Sequence, residues 1–216
     1  MTVHFSKLSF SEYIDRVNSL IGFSFSNAEI LSATARFGFD ESRLKKGEKV
    51  LASVRELDQK QEAVIKEKVD AHQERRKLHT AVRKDYMKYL QIARIAFDKE
   101  GQIAKALQLD GPREVNLDAW IDQVTLFCSR LLGEKEWMTR LSEFGISSMN
   151  IEDLLKRVDS LRSLAARCEM LKDGAKSETA RKRAKLKELQ RWVSDYLKIA
   201  RIALEDKPEL YKEMLK

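Results

Sequence analysis

Only two prolines and eight glycines punctuate the 216 residues. The chain is therefore short of the residues that break helices and shape tight turns, which predicts long helices joined by little loop. Two cysteines, Cys128 and Cys168, are too few for a disulfide framework and read as buried or half-buried thiols. No apolar run approaches the roughly 20 residues that cross a bilayer, so no membrane association is expected. The opening Met1-Thr-Val-His-Phe-Ser-Lys lacks a charged segment followed by an apolar core. No secretory signal is apparent there, and the expected location is the cytoplasm.

Catalytic signatures are missing as well. The histidines are three: His4, His72 and His79. On a helix, the seven-residue separation of His72 and His79 spans two turns, or roughly 10 Å, too far to share one metal ion directly. No Glu-x-x-His pair occurs, which disfavours a di-iron bundle. The glycine-rich phosphate loop, the dinucleotide fingerprint and the nucleophile elbow are all absent. Carboxylates are plentiful but lie among lysines and arginines at helical spacing, the pattern of solvated ion pairs. No catalytic, cofactor-binding or metal-ligating residue is assigned, and no cofactor is expected.

What the chain does contain is a repeat. Tyr89-Leu-Gln-Ile-Ala-Arg-Ile-Ala96 returns as Tyr196-Leu-Lys-Ile-Ala-Arg-Ile-Ala203, an offset of 107 residues (196 − 89 = 107). The same ungapped offset aligns Phe37-Gly38 with Phe144-Gly145. It aligns Lys49, Ser53, Arg55 and Leu57 with Lys156, Ser160, Arg162 and Leu164, and Ile14-Asp15 with Ile121-Asp122. Most matched positions are apolar, as a shared core requires. The period is too long for a solenoid, whose units run roughly 20–50 residues. It predicts a tandem duplication of a unit of about 107 residues, 1–109 and 110–216, each long enough to fold as a domain.

In order along the chain, residues 1–8 read as a lead-in. Ser9 or Ser11 caps a first helix with an apolar stripe of Phe10, Tyr13, Ile14, Val17, Leu20 and Ile21. Gly22-Phe-Ser-Phe25 is expected to interrupt it. Ser26-Asn-Ala-Glu29 has capping-box spacing for a second helix, which Gly38 ends in a left-handed turn. Asp40 opens a third helix through Leu44, Leu51, Val54 and Leu57. Asp173-Gly174 is a turn signal in the second copy and aligns with Lys66-Glu67, so a break is expected near 66–70; one unbroken helix over 41–97 is the alternative. A fourth helix carries Val82, Tyr86, Tyr89, Leu90, Ala93, Ala96 and Phe97, and Gln102 to Leu109 makes a short last one. Asp110-Gly111-Pro112 separates the copies. The fold class is all-α, with about four main helices per half in an up-down bundle.

Two constellations merit attention as sites. The first is the repeated pair Tyr89 and Arg94 with Tyr196 and Arg201. Its bland reading is half-buried tyrosines and helix-bridging arginines, with Ile92 and Ile95 packed to either side of the small Ala93. Its functional reading is a pair of anion sites. The second is basic: Arg75, Arg76 and Lys77 in the first copy, and Arg181, Lys182, Arg183 and Lys185 in the second. A formal charge of +7 and a pI near 9.3 permit an acidic partner, but no aromatic residues interleave with the basic ones as nucleic-acid sites usually have. The leading expectation is a non-enzymatic interaction or scaffold protein that binds another protein. The alternatives are a nucleic-acid-binding protein using the basic helix ends, and a small-ligand protein or enzyme with a cleft between the halves.

Overall fold

The computed structural model describes residues 8–215. The expected lead-in over residues 1–8 and His4 therefore lie almost wholly outside the described residues. The fold is all-α: α1 (Phe10–Ser26), α2 (Ala28–Ala35), α3 (Glu41–Ala96), α4 (Gly101–Ala106), α5 (Leu117–Gly133), α6 (Lys135–Glu143), α7 (Ser148–Ala203) and α8 (Pro208–Met214), with no strand among the described residues. α1 and α5, α2 and α6, α3 and α7, and α4 and α8 each begin 107 residues apart.

Local chemistry sets the short elements. Ser9 and Glu12 form the capping box of α1, with Ser9 N–H donating to Glu12 Oε2 at 2.8 Å. Tyr13, Ile14, Val17, Leu20 and Ile21 are buried along its stripe. α1 runs through Gly22–Phe25 instead of stopping there. One helical glycine costs only about 1 kcal/mol, and Ser24 Oγ donates back to Leu20 O at 2.7 Å, which satisfies the hydroxyl inside the core. The cap of α2 is Asn27 rather than Ser26: Asn27 Oδ1 accepts from the Glu29 and Ile30 N–H groups at 3.0 and 3.2 Å. Gly38, with φ of 81°, closes that turn. Asp40 then starts α3 by accepting from Arg43 N–H at 2.9 Å. In the second half Asn116 caps α5, Ser147 and Asn150 cap each other at the start of α7, and Pro208 occupies the first turn of α8.

The main departure from expectation is at the centre. α3 and α7 are single helices of 56 residues each, with no break near 66–70 or at Asp173-Gly174. Residues 66–72 hold neither glycine nor proline, and the lone Gly174 is flanked by good reasons to stay helical: Ala175 is buried, and Thr179 Oγ1 donates to its carbonyl at 2.8 Å.

The chain divides into two compact units. One takes residues up to Ile65 and from Gly174 onward; the other is Lys66–Asp173. These boundaries cut across the expected domains 1–109 and 110–216, because each long helix carries the chain from one unit into the other. The first unit contains α1, α2, the N-terminal part of α3, the C-terminal part of α7, and α8. Its core joins Val17, Leu20 and Ile30 to Leu44, Val54, Leu189 and Tyr196. Asp58 meets Lys182, Gln61 meets Thr179 and Arg43 meets Trp192, so the two long-helix segments run antiparallel here. The second unit contains the C-terminal part of α3, α4, α5, α6 and the N-terminal part of α7. Val82, Tyr86, Leu90, Trp120, Phe127 and Leu154 lie in its core, and Ala71, Leu164 and Cys168 form a smaller cluster.

Candidate interaction surface

In the first unit, the repeated stretch near the end of α7 turns its tyrosine inward. Tyr196 is fully buried, and its hydroxyl donates to Ser24 Oγ at 2.6 Å. Burial raises its phenol pKa above the ordinary 10, against the lowering pull of that hydrogen bond. Its ring stacks on Trp192 at 5.3 Å and meets Phe39 at 5.3 Å. Arg201 is exposed and lines a shallow open groove with Ile202, Leu204, Pro208 and Tyr211. Tyr196 and Arg201 thus face different environments and do not converge on one ligand position.

In the second unit, the corresponding Tyr89 is only half-buried. Burial and then the neighbouring Asp85 carboxylate raise its pKa. The tyrosine that is fully buried there is Tyr86, whose hydroxyl accepts from Arg113 Nη1 at 2.8 Å and whose ring meets Trp120 and Phe127 edge-on. Tyr89 and Tyr196 therefore differ in burial despite their shared register. Position 193 is Val where position 86 is Tyr, and Trp192 and Phe39 fill the space in the first unit. Arg94 is exposed and donates from Nε to Leu109 O at 2.7 Å, the bridging role of the bland reading. Ala93 and Ala200 are both fully buried, as their spacing from the tyrosines requires.

Three of the seven basic residues lie in ion pairs. Arg181 meets Glu178 at 2.7 Å and Lys185 meets Glu188 at 2.8 Å. Lys182 pairs with Asp58 and lies over the Phe10 ring at 4.1 Å. Arg183 is exposed. Arg75 is half-buried, while Arg76 and Lys77 are exposed. Arg75–Lys77 belong to the second unit and Arg181–Lys185 to the first.

Among the described residues, no group of three or more His, Cys, Asp and Glu is placed to hold a metal ion, and no helix is long and apolar enough to cross a membrane. His79 packs edge-on against Trp120, and burial, then Arg83 and Arg75, lower its pKa. Both cysteines are free and buried; burial and then Asp159 push the Cys128 thiol up to about 12.

The feature that sequence reasoning missed is apolar. Ile95, expected to pack beside Ala93, is instead 66% exposed, and its register counterpart Ile202 is 54% exposed. Two residues turn a helix by roughly 200°, so Ile95 points away from the face that buries Ala93. Phe37 and Phe144 are likewise 47% and 45% exposed. Both are matched pairs at the 107-residue offset. Scattered exposed apolar residues are ordinary; their recurrence at matched positions is the less ordinary fact, and the repeated Arg-Ile-Ala sequence was its available signal. Compared with known protein families, curated proteins and solved structures, the chain matches none.

Proposed function

We propose that this is a non-enzymatic helical interaction or scaffold protein, built by tandem duplication of a unit of about 107 residues, that binds another protein in the cytoplasm. The observation carrying the reading is the matched exposure of Ile95 with Ile202 and of Phe37 with Phe144. An exposed large apolar side chain gains free energy when a partner covers it. Keeping two such positions exposed in both copies suits two similar contact points for a partner. The 107-residue recurrence of all four helix starts supports the duplication, with 1–109 and 110–216 as the duplicated copies even though the compact units exchange their halves.

The test is affinity capture from the native cell with the full-length chain, comparing wild type with Ile95→Glu/Ile202→Glu. The expected result is a protein recovered by wild type and lost from the variant, with the helical signal of the variant unchanged. Recovery of the same proteins by both would refute the reading.

A second reading, nucleic-acid binding, draws on another matched set: Arg76 with Arg183 and Lys84 with Arg191, all exposed. It predicts binding to mixed DNA or RNA that falls steeply with salt and weakens in Arg183→Ala/Arg191→Ala. Salt-insensitive or absent binding rejects it.

A further inference from the structure

We propose that Gly47–Trp192 in the first unit and Asp85–Arg157 in the second are specificity determinants of chain pairing. They hold the first half of each copy on the second half of the other copy and keep either copy from closing on itself. The inference rests on the duplication reading above.

The two seams solve one packing position in incompatible ways. In the first unit the Trp192 ring lies against the backbone of Gly47. A Cβ at Gly47 would sit 2.2 Å from Trp192 Cζ2. Trp192 Nε1 also donates to Arg43 O at 3.3 Å, which fixes the ring's orientation. In the 107-residue register, Gly47 corresponds to Leu154, Val50 to Arg157 and Trp192 to Asp85. In the second unit those residues make a different contact: Arg157 Nη2 lies 2.8 Å from Asp85 Oδ2, both side chains about two-thirds shielded, while Leu154 is fully buried.

Consider each copy folded back on itself, an arrangement that requires its long helix, continuous in the structure, to break near the middle. The second copy would bring Trp192 onto Leu154, where the side chain occupies the space that glycine leaves open. The first copy would bring Asp85 onto Gly47 and Val50, with valine in the place of the arginine that pairs with this shielded carboxylate. The flanking contacts discriminate in the same direction. Lys182 pairs with Asp58 in the observed seam but would meet the register equivalent of Asp58, Ala165, in a self-closed second copy. Thr179 bonds Gln61 at 2.8 Å but would meet Cys168. Apolar core positions cannot make this distinction, since most match between copies: Leu44 with Ile151, Leu51 with Val158 and Val54 with Leu161 are all buried. Beyond the continuity of α3 and α7, the choice of partner therefore falls to the residues at which the copies differ.

The experiment uses the full-length chain and three variants: Trp192→Asp, Gly47→Leu/Val50→Arg, and all three changes together. The first two mix the seams; the third gives the first unit the second unit's set. Urea unfolding followed by circular dichroism is the readout. The expected result is a lowered midpoint for both mixed variants and recovery of most of the loss in the combined one. A helical, cooperatively unfolding combined variant beside an unfolded Trp192→Asp counts as the same result. Mixed variants at the wild-type midpoint overturn the proposal and leave the duplication standing. Mixed variants that lose stability, with a combined variant that loses at least their sum, show that the seams are not equivalent; this overturns the duplication and the proposal with it.

Discussion

Replacing Gly47 by alanine puts a methyl group where the Trp192 ring now lies. The added Cβ would be 2.2, 2.4 and 2.6 Å from three ring carbons. Carbon atoms in contact sit about 3.5–4.0 Å apart, so the ring must withdraw by more than about 1 Å. It is poorly free to do so. It stacks on Tyr196, meets Phe39 edge-on at 6.2 Å and donates to Arg43 O. Overpacking of this kind costs about 1–3 kcal/mol, and a ring held on three sides belongs in the upper part of that range. Against it stands the ordinary gain of about 1 kcal/mol when alanine replaces glycine inside a helix. The net expectation is a loss of about 1–2 kcal/mol, opposite in sign to the propensity rule. Gly174 supplies the control: it also lies inside a long helix, but a Cβ there meets nothing within 4 Å. Gly174→Ala should therefore stabilise by about 0.5–1 kcal/mol. Urea titration of both variants decides the matter, and a double-mutant cycle localises the cause: in a Trp192→Ala background, Gly47→Ala should become stabilising. A Gly47→Ala midpoint at or above wild type would refute the close-approach argument.

Other substitutions probe the same packing. Tyr196→Phe removes a buried hydroxyl hydrogen bond but leaves Ser24 Oγ on Leu20 O, so it should cost about 1 kcal/mol, whereas Tyr89→Phe on a half-buried ring should cost less; equal midpoints for the two variants would contradict the difference in burial. Ala93→Phe and Ala200→Phe, at fully buried positions, should each cost about 1–3 kcal/mol, and exposed Lys105→Ala no more than about 0.5 kcal/mol, as chemical denaturation would show. His79 has a lowered pKa in the folded state, so its stabilising contribution is present above the ordinary 6.5 and is lost as pH falls through the folded value. His79→Gln should therefore lose less stability than wild type between pH 7 and pH 5 in parallel urea titrations; identical losses would show that His79 is not a source of the acid sensitivity.

Most of the local structure was legible in the sequence because its causes are local. Ser9 (offered beside Ser11), Gly38 and Asp40 each act within a few residues, and the apolar spacing of α1 named its buried stripe. Errors arose where a weak local preference met strong surroundings. Gly22 and Gly174 are poor helix residues, yet each costs only about 1 kcal/mol, and buried neighbours outweigh that. The makeup of the two compact units was not legible for a different reason. An apolar stripe states which face is buried, not what covers it, and stripes that recur at matched positions fit more than one pairing. At the candidate surface, the repeated tyrosines were found but not their unequal burial, which depends on ring contacts between residues far apart in sequence, Phe39 with Tyr196 in the first unit and Tyr86 with Phe127 in the second.

The discontinuous makeup of one unit sets an order of events during synthesis. Lys66–Asp173 is an uninterrupted segment, so all of its core residues leave the ribosome before Gly174–Lys216 do. The other unit cannot complete its core until α7 and α8 emerge, because contacts such as Tyr196 with Ser24 join residues 172 positions apart. Until then Val17, Leu20, Ile30 and Leu44 lack their covering helix. The nascent chain therefore carries this apolar surface uncovered while Lys66–Asp173 is being made, an interval in which such surface is open to a chaperone or to aggregation.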